Sequence, residues 1–297
     1  MDLNDFAAAV GSQDAVTIVG QGTRGGGVPD VRSVRAPSGI EWVQADEMTA
    51  CCGAGTPVVD LDAALREVGQ CVALPQGGTI GGAFAVGLSD VRRLGYGPVR
   101  DVLLQARYVS AAGEVVKAGG PTVKNVSGFD LCRLLVGSRG TLGFLGEVIV
   151  RTRPLPQCSQ WYTTTAAEPF TVFAALYRPV AVLWDGERVW ALLEGHRADV
   201  AAQAATAHLD VADEPPVLPV GGRTSVAPAT IEHLTGGFVA EVGVGVVHWR
   251  SAQPTTRSSR DPSLTALEER IKLQFDPVRR LNPGVRLGTE RWHGAGR

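Results

Sequence analysis

The stretch VTIVGQGTRGGG (residues 16–27) decides how the rest of this chain is read. Its first four residues are an apolar run of the kind that forms a short buried strand. Gly20, Gly22 and Gly25 then match the pattern GxGxxG. In a Rossmann unit that pattern opens a helix directly after its strand. Here it runs into more glycine and then Val28-Pro29, which cannot supply the opening helical turn. What remains is a chain of backbone N–H groups able to close around an anion, with Gln21, Thr23 and Arg24 beside it. Arg24 could add a charge-assisted contact to a pyrophosphate. For this loop taken alone, an ordinary tight turn is the competing reading.

Two further glycine sites change that balance. In PQGGTIGGAFAVG (75–87), between Pro75 and Gly87, the run Thr79-Ile80-Gly81-Gly82 lets a flat ring or a phosphate approach the backbone without a Cβ in the way. The segment is too rich in glycine for an ordinary surface helix. In GSRGTLG (137–143), Ser138 and Thr141 offer hydroxyls while Gly140 and Gly143 keep the backbone close to a ligand, and the strand carrying Val148 follows. Three unrelated turns are the bland alternative, which three such sites in one unit make the weaker one.

Composition sets the limits around these segments. A chain of 297 residues, 44% hydrophobic with Gly 37 and Pro 18, can form one large domain or two modest ones. The net charge of -2 gives no basic stripe, so nucleic acid is not expected as a partner. The five cysteines include no CxxC, which argues against a disulfide scaffold and against iron–sulfur ligation by this chain alone. Adjacent Cys51 and Cys52 should alternate across a strand, one buried and one exposed. The N-terminus lacks the basic region of a signal peptide, and no apolar run reaches membrane-spanning length. A cytoplasmic location fits, with peripheral attachment to the inner face of a membrane through partners as the alternative.

Strands are expected at 16–19 and 48–55. A helix over 61–68 would be capped by Asp60, would line up Leu61, Leu65 and Val68, and would end at Gly69. The spacing of Val102, Leu104, Ala106 and Tyr108 predicts a hairpin over 99–117, turning at Ala112-Gly113. EVIVRT follows as a strand, and Pro154 with Pro156 forms a boundary. Beyond it WYTTT, AVLWDG, RVWALLEG and FVAEVGVGVVHW read as strands, with a helix over 198–209 and a long loop over 214–230. Asp261-Pro262 opens a last helix lined by Leu264, Leu267, Ile271 and Phe275, after a serine- and threonine-rich 251–260.

On these residues the chain resembles the FAD-linked oxidases of the vanillyl-alcohol oxidase / p-cresol methylhydroxylase (PCMH) type. VGQGTR resembles that family's first pyrophosphate loop, PQGGTIGGAFAVG the segment beside the flavin, and LLVGSRGTLGFLGEV the third FAD-contacting stretch. IKLQFDPVRRLNPGV (271–285) resembles its closing motif. GLSDVRRLGYGPVRD (87–101) and VKNVSGFDLCRLLVGS (123–138) are similar to the GlcE-type, FAD-binding subunit of bacterial glycolate oxidase. The resemblance implies an α+β fold: a two-part FAD-binding domain of the PCMH type (1–154), a small α+β cap-like domain for substrate or subunit contact (155–260), and a C-terminal return (261–297). The strand and helix that usually precede the first loop would be shortened or absent.

It also implies FAD as cofactor, held by Gly20, Gln21, Gly22, Thr23, Arg24, Gly25, Pro75, Thr79, Ile80, Gly81, Gly82 and Gly87, and by Ser138, Gly140, Thr141, Gly143 and Val148. The link would be non-covalent, because relatives with covalent flavin often carry His where Thr23 stands. A small hydroxy acid would be the substrate, and a paralogous flavoprotein subunit and an iron–sulfur subunit the partners in a hetero-oligomer. The residues do not identify a catalytic group. Arginine suits a substrate carboxylate and histidine its hydroxyl proton. Arg92, Arg93, Lys124, Asn125 and His248 are candidates, each with a structural role as the alternative. His196, His208 and His233 have no ligand spacing, so no metal site is expected. Asp276, Asn282 and Gly284 are expected to organise the C-terminal turn. Trp161, Trp184, Trp190 and Trp249 could line a pocket or an interface, with core packing the default. A supporting subunit without its own substrate site, a single-chain oxidase of another alcohol and a nucleotide-sugar reductase are the competing functions.

Overall fold

The computed structural model describes residues 1–121, 130–251 and 261–287, which fall into two compact units. The first takes residues 1–90, the described residues of 98–155 and 261–287; the second takes 91–97 and 156–251. The serine- and threonine-rich stretch before Asp261 lies outside the described residues from 252 on, as do Lys124 and Asn125.

In the first unit five strands form an antiparallel sheet in the order Ile40–Gln44, Thr49–Gly53, Phe144–Arg151, Leu103–Val109, Val115–Gly119. Thr49–Gly53 is buried at every position, so Cys51 and Cys52 are both buried, and not one in and one out. Covering both faces of a strand removes the polar half of the alternation. The hairpin over 99–117 forms, but Leu103 is buried and Leu104 only half-buried. A register shift between Leu103 and Gln105 breaks the expected face at Leu104, while Val102, Ala106 and Tyr108 are buried as expected. The helix expected over 61–68 runs from Val58 to Glu67, so its buried face is Val58, Leu61 and Leu65. Val68 is exposed, and Pro57 stands at the cap position in place of Asp60.

A helix, Leu3–Val10, precedes the first strand; Asp2 and Asp5 close a capping box and Phe6 and Val10 are buried. Val16–Ile18 pairs in parallel with Arg32–Val34. The C-terminal return lies on the other side of Val16: Val16 N donates to Arg280 O and Asn282 N to Val16 O, both at 2.9 Å. Helix Pro262–Phe275 starts at Asp261, whose side chain accepts from Ser263 N at 2.9 Å. Only half of its expected face is used: Ile271 and Phe275 pack on the core, while Leu264 and Leu267 are exposed. Arg280 is buried and spends its fork on carbonyls, donating to Val10 O (2.7 Å), Asp14 O (2.9 Å) and Ala111 O (3.1 Å).

The second unit is a seven-stranded antiparallel sheet in the order Asp210–Val211, Cys158–Thr164, Val189–Gly195, Ala181–Trp184, Phe238–Glu241, Val246–Trp249, Gly222–Ser225. FVAEVGVGVVHW is therefore two strands joined by a turn, with Gly243 and Gly245 at φ +79° and +84°. The stretch 214–230 is not all loop, since Gly222–Ser225 pairs with Val246–Trp249. Helices Pro169–Ala175 and Arg197–Thr206 share its core with Trp184, Phe238 and Trp249, whose rings meet edge to face at 5.5 and 5.9 Å. Trp161 and Trp190 are half-buried. Among the described residues no helix is long and apolar enough to cross a membrane.

Burial also settles the thiols. Glu41 and Glu147 bring carboxylate oxygens near Cys51 Sγ, all three atoms lying within 4.8 Å of one another. Desolvation first, then those carboxylates, pushes the Cys51 thiol up to about 12, and burial raises Cys132 to about 11. At pH 8 the native chain should therefore be alkylated by iodoacetamide at half-exposed Cys158, with the buried thiols protected until urea is added. Peptide mass spectrometry checks this; rapid labelling of Cys51 in folded protein would contradict it.

Candidate functional site

A cleft of about 500 Å³ opens in the first unit, and the three glycine segments meet in it. Gly20, Gln21, Gly22, Thr23, Arg24 and Gly25 form one wall. Gly22 and Gly25 sit at φ +76° and +100°, left-handed turns that let successive N–H groups converge on one point. Thr79, Gly81 and Gly82 come from the second segment, and Ser138, Gly140 and Gly143 from the third.

The second segment does form a helix, Ile80–Val86, seated on the core through Ile80, Ala83 and Phe84. Thr79 caps it, its Oγ1 accepting from Gly82 N at 3.1 Å. Its two adjacent glycines serve different ends. Gly81 N donates to Ala54 O at 2.7 Å, and a Cβ on Gly81 would stand 2.9 Å from both the Cβ and the carbonyl of Ala54. A Cβ on Gly82 would meet only Thr79 Oγ1, at 3.1 Å, and otherwise project into the cleft. The third segment docks on the end of that helix, with Gly137 N donating to Phe84 O (2.9 Å) and Arg139 N to Ala85 O (2.8 Å).

Arg24, Arg35 and Arg139 line the cleft, and its lining contains no aspartate or glutamate among the described residues. Arg35 Nη1 braces the first loop at Gly20 O (2.9 Å). Arg24 Nη2 donates to Pro75 O (2.8 Å) and Gln76 O (2.9 Å), which ties the first glycine segment to the second. Gly78 makes room for that guanidinium, since a Cβ there would fall 2.3 Å from Arg24 Nη1. Nη1 itself is buried and has no hydrogen-bond partner among the described residues. Burial lowers the Arg24 pKa from its ordinary value. A buried guanidinium N–H is costly unless an acceptor meets it, so this position fits an anionic oxygen.

Five of the residues expected beside a cofactor do not line the cleft. Ile80 and Val148 are core residues, and the Pro75 carbonyl is taken by Arg24. Gly87, at φ +72°, packs on Gly137; Thr141 is fully buried, donating from Oγ1 to Ser138 O at 2.7 Å. Arg35, Arg139 and Asn282 line it although the sequence reading did not include them as cofactor ligands. Arg139 was visible inside GSRGTLG, but its left-handed backbone, φ +53°, is not a conformation that an arginine announces.

Two of the candidate catalytic residues, Arg92 and His248, belong to the second unit. Arg92 Nε pairs with Glu194 at 3.3 Å in the second unit, where Ser159 Oγ (2.9 Å) and Tyr96 OH also donate to the same carboxylate. His248 Nε2 is 2.8 Å from Glu241 Oε1, across neighbouring strands of that unit's sheet. Glu241 Oε2 is buried without a partner among the described residues. His196 contacts Gln157 at 2.9 Å.

Residues 7–119 match the family model described as an FAD binding domain. Glycolate oxidase subunit GlcE of Escherichia coli K12 is 40% identical over 131 residues, 42% of this chain and 37% of that protein. D-lactate dehydrogenase of Archaeoglobus fulgidus is 38% identical over 142 residues, 46% of this chain and 32% of that protein. Glycolate oxidase subunit GlcD of Bacillus subtilis is 43% identical over 79 residues, 27% and 17% of the two chains. The matched parts thus span between 17% and 37% of the length of these relatives. A solved alkyldihydroxyacetonephosphate synthase superposes with a TM-score of 0.70 at 14% identity, covering 96% of this chain and 75% of that one, a likeness of fold. By the match over residues 7–119 and by its fold, this chain carries an FAD-binding domain of the PCMH type, and it is similar over part of its length to glycolate oxidase subunits and to a D-lactate dehydrogenase.

Proposed function

We propose that this chain is the FAD-binding subunit of a glycolate or related 2-hydroxy-acid oxidase or dehydrogenase. The observation that carries the reading is a glycine-walled cleft lined by arginines and by no aspartate or glutamate among the described residues, in a chain 40% identical to GlcE over 131 residues. Bound FAD would supply the redox chemistry, taking a hydride equivalent at N5 from the α-carbon of the hydroxy acid. The chain's own residues would bind and orient it. Backbone N–H groups of the Gly20–Gly25 loop and Nη1 of Arg24, which has no partner among the described residues, suit the diphosphate. Thr79 and Gly82 leave room for close approach of a flat ring, and Ser138 and Gly140 complete the third wall. Thr23 has no ring nitrogen to form a covalent link, which supports non-covalent retention. Electrons would pass to a paralogous flavoprotein subunit and an iron–sulfur subunit.

A second reading has specific support. Two of the candidates for substrate chemistry are engaged within the second unit, His248 with Glu241 and Arg92 with Glu194. This favours a supporting subunit that holds FAD for electron transfer while its paralogue oxidises the substrate. A visible spectrum before and after anaerobic glycolate, on the chain alone and with its partner subunits, separates the two. Bleaching of the isolated chain would establish its own substrate site. Reduction only in the assembled complex would support the second reading, and purified protein without flavin would defeat both.

A further inference from the structure

We propose that Cys51, Glu41 and Glu147 form a binding site for a thiophilic divalent cation of the zinc class, on the first unit's sheet and outside the cleft. The site is built by strand register. Ala50, Cys52, Val148 and Val150 turn into the main core of that unit, which leaves Cys51 and Glu147 on the opposite face of the sheet. Cys51 pairs with Ile149 on one side, and Glu147 stands two residues along the same strand. On its other side the register shifts between Ile40, which faces Cys52, and Trp42, which faces Cys51. Glu41 is therefore the extra residue of a bulge, and two residues oppose Cys51 where a regular ladder would set one. Histidine spacing gives no hint of this site, because its ligands come from three different strands.

The three groups make an unbalanced cluster. The Cys51 sulfur and one oxygen from each carboxylate all lie within 4.8 Å of one another. Cys51 is only 3% exposed. Neither its thiol nor the exposed Glu41 carboxylate has a hydrogen-bond or ion-pair partner among the described residues. Glu147 has one, Arg107 Nη1 at 3.4 Å from its Oε2. The charges acting on the thiol are thus two carboxylates and a single guanidinium. Gathering two anions around a partly dry sulfur is unfavourable unless a cation joins them. A divalent ion that displaces the thiol proton to solvent brings the group, Arg107 included, to neutrality. Bonds of about 2.0–2.3 Å place tetrahedral ligand atoms about 3.5 Å apart, so the cluster has to close by about 1 Å. Rotation of the exposed Glu41 side chain provides that movement and leaves a fourth position to water. A thiolate beside two carboxylates selects zinc over magnesium or calcium. Bound there, the ion would fasten the strand Thr49–Gly53, which runs on into Ala54 and Gly55 of the cleft wall.

The test uses the full chain as purified, in a Cys158→Ser background that removes the half-exposed thiol. Zn2+ is titrated by calorimetry and Co2+ by difference absorption against the metal-free chain, and melting is followed with and without Zn2+. One Zn2+ per chain should bind and raise the melting temperature. Co2+ should give a thiolate charge-transfer band in the near ultraviolet, and excess Mg2+ should not compete. Cys51→Ser should abolish the band and weaken Zn2+ about a hundredfold or more, and Glu41→Ala should weaken it about tenfold or more. Absence of saturable Zn2+ binding overturns the inference. So does Co2+ bound without the band, or an affinity that neither substitution changes. If Cys51→Ser does not fold, Glu41→Ala, at an exposed position, decides alone. None of these readouts depends on flavin, so failure of the FAD reading leaves this result standing, and failure here leaves that reading untouched.

Discussion

Gly82→Trp is expected to yield a folded chain that retains no flavin. The Cβ of any residue at 82 points past Thr79 Oγ1 into the cleft, so the indole would occupy cleft space and not the core. The fold has little to lose, because glycine inside a helix is itself unfavourable by about 0.5–1 kcal/mol relative to alanine. Its neighbour provides the contrast. Gly81→Ala would drive a methyl group against Ala54, whose carbonyl is already bonded to Gly81 N, and overpacking of this kind costs about 1–3 kcal/mol. That variant should melt earlier yet keep its flavin in the folded fraction. The flavin-to-protein absorbance ratio and thermal melting read both effects. A full complement of flavin in folded Gly82→Trp would remove the ligand from this wall.

Asp276→Ala should destabilise the chain by about 3–5 kcal/mol, the usual result of removing one partner from a buried ion pair. Asp276 is fully buried and accepts from Lys272 Nζ (2.6 Å), Leu281 N (2.8 Å) and Arg280 N (3.0 Å). Lys272 Nζ also donates to Thr141 O (2.7 Å) and Leu281 O (3.1 Å), so the ammonium joins the third cleft segment to the closing turn. Burial lowers the Lys272 pKa, while its bond to Asp276 works in the opposite direction. Without Asp276 the desolvation is less opposed and the folded-state pKa falls further. The unfolded chain then binds more protons than the folded one between that depressed value and the ordinary lysine range. The variant should therefore gain stability relative to wild type as pH rises through that window. Lys272→Met combined with Asp276→Ala should recover part of the loss, because it removes the uncompensated charge. Urea midpoints at several pH values test this; a loss below 1 kcal/mol with no pH trend would show that the carbonyls alone satisfy Lys272.

Much of the fold was legible because its signals are local. The run VTIV, the hairpin turn at Gly113 and the Asp261-Pro262 helix start each depend on residues a few positions apart. The misreadings of burial share one cause. Val68 and Leu264 match a helical face by spacing, but a face is buried only where another element lies against it. Cys51 was expected to alternate with Cys52, and the covering of both strand faces overrode the alternation. The break inside FVAEVGVGVVHW rests on Gly243 and Gly245, whose left-handed backbone turns a continuous apolar run into a hairpin.

By itself the sequence determined the cofactor class and the segments that line the cleft, because freedom from a Cβ at Gly22, Gly25 and Gly82 is a property of each residue and needs no partner. Tertiary structure alone decided which neighbours line the cleft. It turned Ile80 and Val148 into the core, spent one nitrogen of Arg24 on carbonyls 51 and 52 residues away, and brought Asn282 across 265 residues to Thr17. It also paired Arg92 with Glu194 and His248 with Glu241. Such contacts depend on how distant elements pack, and residue spacing along the chain carries no record of that.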